Sequence, residues 1–288
     1  MSEISSSKER EDKFNKFIIS EYLKYGSVDE VFRRNEYNLP ISYPGVHRLL
    51  DRWGIVKAAG PNSKLSEAIC FMELLSHHKV PMERVYRMLP PSFQTSMSTM
   101  HRILHNIKEG TTRRSGSALV ITPGDNPRKI LVGDDVSTPR LELGKPFGAR
   151  SLPMCYSKVD ESCEDSVLRV LQQEVLVKDV IEKKLDRKIV PNSIQPFMYL
   201  DIADVRVSVF HLVLSRPLKE YSSYKLLNYR FVDLKELSQP SEFFRAGIRE
   251  IGIGFERYLL NTKESTNPSI YRSFVNDNLY APALETSV

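Results

Sequence analysis

Residues 161–177 read ESCEDSVLRVLQQEVLV, an apolar-periodic run opened by Ser162, with Asp165 three residues on. A serine at the N-cap followed by an acidic residue at the third helical position marks a helix start, because both side chains serve backbone N–H groups that lack an intrahelical partner. Val167, Leu168, Leu171 and Val175 recur at helical spacing and predict the buried face of an amphipathic helix. The run also carries Glu161, Arg169 and Glu174, while hydrophobic and amide residues, Val170 and Gln173, stand between them.

Working outward, the stretches SALVIT (117–122) and KILVGDD (129–135) are short β-rich runs separated by the turn PGDNPR, and LELGKPFGARSLPM (141–154) predicts a strand and loop. Beyond the helix, FMYLDI (197–202), VRVSVFHLVLS (205–215) and YRFVDL (229–234) predict further strands. A Leu-Lys-Glu-Leu turn at 234–237 and a last helix over FFRAGIREIGIGFERYLL (243–260) follow. Strands, helix, strands and helix in that order predict an α/β (α+β) sandwich.

This half of the chain resembles the Nudix hydrolase family. The family box runs Gly, five residues, Glu, seven residues, then Arg-Glu-aliphatic-x-Glu-Glu-x-Gly-aliphatic. Glu161 falls on the first Glu and Arg169 on the Arg, with Leu171, Glu174 and Val177 on their pattern positions. The opening Gly is Cys155, the Glu after Arg is Val170, the first of the paired Glu is Gln173 and the closing Gly is Leu176. Leu152-Pro153 also resembles the Leu-Pro before the family's glycine pair, with Met154 and Cys155 in place of the glycines. The resemblance implies a fold that hydrolyses a nucleoside diphosphate linked to another group, using divalent cations on helix carboxylates. Hard cations need several anionic oxygen ligands, and Val170 offers none while Gln173 offers a neutral one. The expectation is therefore a catalytically degenerate Nudix-like domain with no catalytic residue, no metal and no cofactor, in which Glu161 and Arg169 pair to pin the box loop. Its cleft is expected to take a nucleotide-derived ligand.

The rest of the chain bounds the reading further. At 288 residues it is long enough for two domains, and 41% hydrophobic with 27% charged residues is the composition of a soluble protein. No apolar run reaches membrane-spanning length, and MSEISSSKEREDKF lacks the apolar core of a secretory signal, so a cytoplasmic protein with no membrane partner is expected. Cys70, Cys155 and Cys163 form no C-x-x-C pair and read as reduced thiols. The net charge of +5 lies wholly in residues 1–114, which hold 18 Lys+Arg against 13 Asp+Glu. An anionic partner for that part accounts for the asymmetry.

Those residues contain a repeat with an offset of 54: VFR (31–33) and HRLL (47–50) recur as VYR (85–87) and HRIL (101–104). Val46, Leu49, Leu50 and Trp53 correspond to Met100, Ile103, Leu104 and Ile107, one buried stripe per unit. The first unit predicts helices over Lys13 to Lys24, from Ser27-Val-Asp-Glu30, and from Ser42 to Gly54; the second predicts them near Leu65 to Leu75, Pro81 to Leu89 and Ser96 to Lys108. The arrangement resembles tandem helix-turn-helix modules whose third helices read DNA, with longer connections than the tightest modules have. The solvent faces would then present Tyr43, His47, Arg48 and Arg52 in one unit and Ser98, Thr99, His101, Arg102 and Asn106 in the other. These side chains donate to phosphates and base edges. Arg113 and Arg114 in EGTTRRSGS (109–117) could touch the backbone or a minor groove. His77 and His78 lack a second ligand pair at metal spacing and are given no role.

The organisation predicted is multi-domain: an all-α tandem helix-turn-helix DNA-binding domain at 1–108, a basic linker at 109–116, the Nudix-like sandwich at 117–262 and a tail at 263–288. The function expected is that of a transcriptional regulator binding double-stranded DNA, as a homodimer if the site is palindromic. Two rivals are an active hydrolase with an altered metal set of Glu161, Glu164, Asp165 and Glu174, and a helical assembly or RNA-binding protein.

Overall fold

A computed structural model describes residues 2–57, 81, 83–84, 87, 114–158, 161–203, 205–260 and 268–273. Most of the second helical unit lies outside them, including Ser98, Thr99, His101, Arg102, Asn106 and Arg113; Glu83, Arg84 and Arg87 are helical. No helix among the described residues is long and apolar enough to cross a membrane.

The first unit forms α1 (Ser2–Tyr25), α2 (Val28–Arg34) and α3 (Tyr43–Arg52). Ser27 caps α2 by accepting from the Glu30 N–H and Ser42 caps α3 by accepting from the Gly45 N–H, so both predicted starts hold. Gly26 and Gly54 end α1 and α3 in the left-handed region, at φ 71 and 64, where a residue without Cβ pays no steric penalty. α1 starts earlier than Lys13. Its polar first half is supported by i,i+4 ion pairs, Lys13 with Glu9 at 2.9 Å and Lys16 with Asp12 at 2.8 Å.

The C-terminal half is built from β1 (Arg114–Thr122), β2 (Lys129–Asp135), β3 (Arg150–Ser151), β4 (Met154–Ser157), α4 (Cys163–Glu174), α5 (Val177–Ile181), β5 (Met198–Ile202), β6 (Val205–Val213), β7 (Leu226–Asp233), α6 (Leu234–Ser238), α7 (Ile248–Leu260) and β8 (Ser269–Arg272). One sheet has the order β4-β1-β6-β5-β8 and the other β3-β2-β7. Side chains on β1 alternate between two cores. Ala118 and Val120 join β5, α6 and α7 on one face, while Leu119 and Ile121 join α4 and Phe210 on the other. A strand buried on both faces reads as a near-continuous apolar run, which is why Ala118, Leu119, Val120 and Ile121 follow one another without polar alternation.

Several boundaries differ from the sequence expectation. Arg114 is the first residue of β1 and pairs in register with Val205, so it belongs to the sheet and not to the linker. Leu141–Leu143 forms a single 3-10 turn closed by Gly144 at φ 58, not a strand. The last helix begins at Ile248 because Gly247, at φ 94, turns the chain into it. Ser269–Arg272, assigned to a tail, adds a parallel edge strand to β5.

From Ser166 to Glu174, α4 is buried on every side, its polar residues Arg169, Gln172, Gln173 and Glu174 included, so the polar face of this amphipathic helix meets protein rather than solvent. And Val177 and Val180 of α5 share a core with Ile18, Leu23, Val31, Leu49 and Leu50 of the helical unit, with Leu185 packed beside them. The N-terminal helices therefore complete their core on the other half. Gln172 ties the two together: its Oε1 accepts the Val56 N–H at 2.9 Å and its Nε2 donates to the Gly54 carbonyl at 2.9 Å.

Candidate functional site

The Ser162 hydroxyl caps α4 through the Asp165 N–H at 3.1 Å, as its sequence predicts. One helical turn further, the fully buried Arg169 donates to Glu161, to Ser157 Oγ at 2.9 Å and to Cys155 Sγ at 3.3 Å. Glu161 Oε2 accepts from Ser166 Oγ at 2.9 Å. Arg169 thus fastens β4 and the loop before α4 to the helix, the structural pairing expected. Burial works against its charge, but Cys155 and Glu161 overcome this and its pKa is raised; burial also pushes the Cys155 thiol up.

At the other end of α4, Lys225 donates to Glu174 Oε1 at 2.8 Å, and Tyr229 donates its hydroxyl to the Glu174 carbonyl. Burial pushes the Glu174 carboxyl up while Lys225 opposes the shift. For Lys225, burial would lower the pKa, yet the Glu174 carboxylate and its hydrogen bond win and raise it. The distance and the direction of the lysine shift favour an ion pair.

Beside this pair lies Asp135, at the end of β2, almost fully buried. Its Oδ1 accepts from the Ser137 N–H at 3.0 Å and hydroxyl at 2.6 Å, so Oδ2 is left to two cations: Lys145 Nζ at 3.4 Å and Arg245 Nη1 at 3.5 Å. The left-handed turn at Gly144 and the hydrogen bond from Ala246 N to the Gly144 carbonyl at 2.8 Å bring the two loops together. Burial lowers the pKa of both Lys145 and Arg245, with Asp135 opposing it in each. Three cations and two carboxylates thus converge from β2, α4 and three loops. Sequence spacing marks only Glu174 among them.

The divalent metal that the sequence resemblance implies does not fit this site. Val170 is buried among apolar side chains, Gln173 is neutral, and the only box carboxylate at that end, Glu174, is held by an ammonium group. The altered metal set is not assembled either. Glu161 is engaged by Arg169, Glu164 Oε1 accepts from the Ser193 N–H at 3.0 Å, and Asp165 pairs with Arg187 at 2.5 Å. Among the described residues no group of three or more His, Cys, Asp and Glu could hold a metal ion.

On the helical unit, α3 turns Val46, Leu49 and Leu50 fully inward. Trp53 is half-buried, with Lys183 Nζ 3.6 Å from its ring centroid. Arg48 and Arg52 are exposed and line, with Ile41, Gly45 and Asp51, a shallow depression on the outer face. Tyr43 is drawn aside from that face: its hydroxyl donates to Asp29 Oδ1 at 2.5 Å and its ring stacks 5.3 Å from Phe32. Burial and the Asp29 contact push its pKa up to about 12. His47 is half-buried, 5.4 Å from the Tyr43 ring.

No protein-family model matches the chain, and no curated protein matches it. Solved structures resemble it over about half its length. The MutT protein from Methanosarcina mazei Go1 is 17% identical, over 53% of this chain and 97% of that one, at a TM-score of 0.38. The NUDIX domain of Shewanella oneidensis NrtR, complexed with ADP ribose, is 16% identical over 51% and 89%, at 0.35. The E. coli dihydroneopterin triphosphate pyrophosphohydrolase is 14% identical over 52% and 98%, at 0.35. With TM-scores below 0.5, these likenesses carry no weight on what the chain does; its side chains do.

Proposed function

We propose that the chain is a DNA-binding transcriptional regulator in which a helix-turn-helix unit is joined to a Nudix-like domain that binds a nucleotide-derived ligand without hydrolysing it. The observation that carries the non-enzymatic part is the Lys225–Glu174 ion pair: a fixed ammonium occupies the carboxylate that a divalent cation would need. The DNA-binding part is supported by α3, whose apolar stripe is consumed by the core while Arg48 and Arg52 stay in solvent on a capped helix, in the half that holds all the net positive charge. Tyr43 and His47 then serve the helix rather than the duplex.

The test uses the full chain, since the helical core is completed by Val177 and Val180. It should retain a defined duplex at physiological salt with an affinity that falls steeply as salt rises. Arg48→Ala and Arg52→Ala should each cost about 1–3 kcal/mol on the preferred site if they read bases, or lower the salt slope by about 1 if they hold phosphates. Unchanged binding in both variants would remove α3 from the interface. ADP-ribose, dinucleotides and nucleoside triphosphates should give no product with magnesium or manganese; turnover lost in Glu174→Gln would instead identify a hydrolase.

A further inference from the structure

The buried charges around Asp135 and Glu174 do not balance. Lys145, Lys225 and Arg245 supply three positive charges against two carboxylates, and side-chain exposures of 15%, 24% and 12% leave each cation a narrow opening to water. An uncompensated charge in such a place is costly unless an anion completes it. The contacts are also incomplete. Both cations on Asp135 Oδ2 stand at 3.4 and 3.5 Å, well beyond the 2.7–2.9 Å typical of charge-assisted hydrogen bonds; Lys145 also donates to Ser137 Oγ at 2.5 Å, a neutral acceptor that leaves its charge uncompensated. The Arg245 Nε–H is buried with no hydrogen-bond partner, and so is the Gln173 amide nitrogen one residue before Glu174.

We propose that Lys145, Lys225 and Arg245 form a metal-independent binding site for a phosphoryl group. The inference deepens the ligand-binding half of the proposed function and rests on it. The N–H donors that two ammonium groups and a guanidinium fork bring to Asp135 and Glu174 suit a tetrahedral oxyanion, which offers more acceptor oxygens than a carboxylate. The chain's own cations then do the charge neutralisation that a divalent ion performs on a carboxylate-rich helix. Asp135 and Glu174 hold the cations in place while the anion takes the donors that they leave unused.

The experiment is calorimetric titration and thermal shift of the full chain in excess EDTA with inorganic phosphate, inorganic pyrophosphate and ADP-ribose. Saturable binding of at least one is expected without divalent metal, with a thermal midpoint that rises with ligand concentration. Binding by the inorganic anions marks the phosphoryl group alone as sufficient; binding by ADP-ribose alone adds a requirement for the rest of the ligand, and either supports the site. Lys145→Gln and Lys225→Gln should each weaken binding tenfold or more, while Arg187→Gln, a cation outside the cluster, should not. Failure of all three anions to bind, an absolute need for magnesium, or equal loss in Arg187→Gln would overturn the proposal; the wild-type titration decides even if a cluster variant fails to fold. Duplex retention measured in parallel separates the two readings: DNA binding without anion binding defeats this site and leaves the regulator standing.

Discussion

Gln172 offers the sharpest perturbation, because one amide joins the halves of the molecule. It is almost wholly buried, accepts from the Val56 N–H and donates to the Gly54 carbonyl, each at 2.9 Å. Gln172→Met keeps the length and the apolar body of the side chain and removes both hydrogen bonds. Each is worth about 1 kcal/mol net, which gives about 2 kcal/mol for the pair. The orphaned backbone groups belong to half-buried residues, so partial opening lets water reach them and the full desolvation penalty is not incurred. A loss of about 2 kcal/mol corresponds to roughly a 30-fold change in the docking equilibrium. Urea unfolding should show the loss with an unchanged m-value, and amide hydrogen exchange should show roughly 30-fold faster exchange at Val56. A shift under about 0.5 kcal/mol, the range of ordinary surface substitutions, with Val56 protection intact would refute the idea that this amide holds the helical unit to α4.

Lys225→Met should destabilise the fold by about 3–5 kcal/mol at neutral pH, because it strands the buried Glu174 carboxylate. The raised Glu174 pKa sets the sign: without its partner the ionised form is penalised, the penalty disappears below the folded and unfolded pKa values, and so the gap to wild type should narrow as pH falls. A gap that widens in acid would exclude an ionised Glu174 as the cause. Gly247→Ala should cost about 1–3 kcal/mol, since φ is 94 there and a Cβ would lie 2.7 Å from the Ile202 and Leu200 side chains. A neutral outcome in thermal unfolding would mean that the turn into α7 is not strained.

What the sequence by itself determined is the local part. Ser27, Ser42 and Ser162 cap α2, α3 and α4 as their spacing predicts, since a cap involves a side chain and an N–H three residues away. The strands β1, β2, β5, β6 and β7 and the pairing of Glu161 with Arg169 were legible for similar reasons of short-range pattern or motif. The tertiary structure alone decided what the polar face of α4 meets. Gln172 reaches a backbone carbonyl 118 positions away and Glu174 meets Lys225 across 51, and no spacing rule spans such separations. β8 escaped for the same reason: a short, mostly exposed edge strand lacks the apolar run that marks a strand, and only the neighbouring backbone of β5 makes it one. The box residues show in the sequence which carboxylates are gone. That cations have gathered around Glu174 and the neighbouring Asp135 depends on where three separate loops return to the same end of one helix.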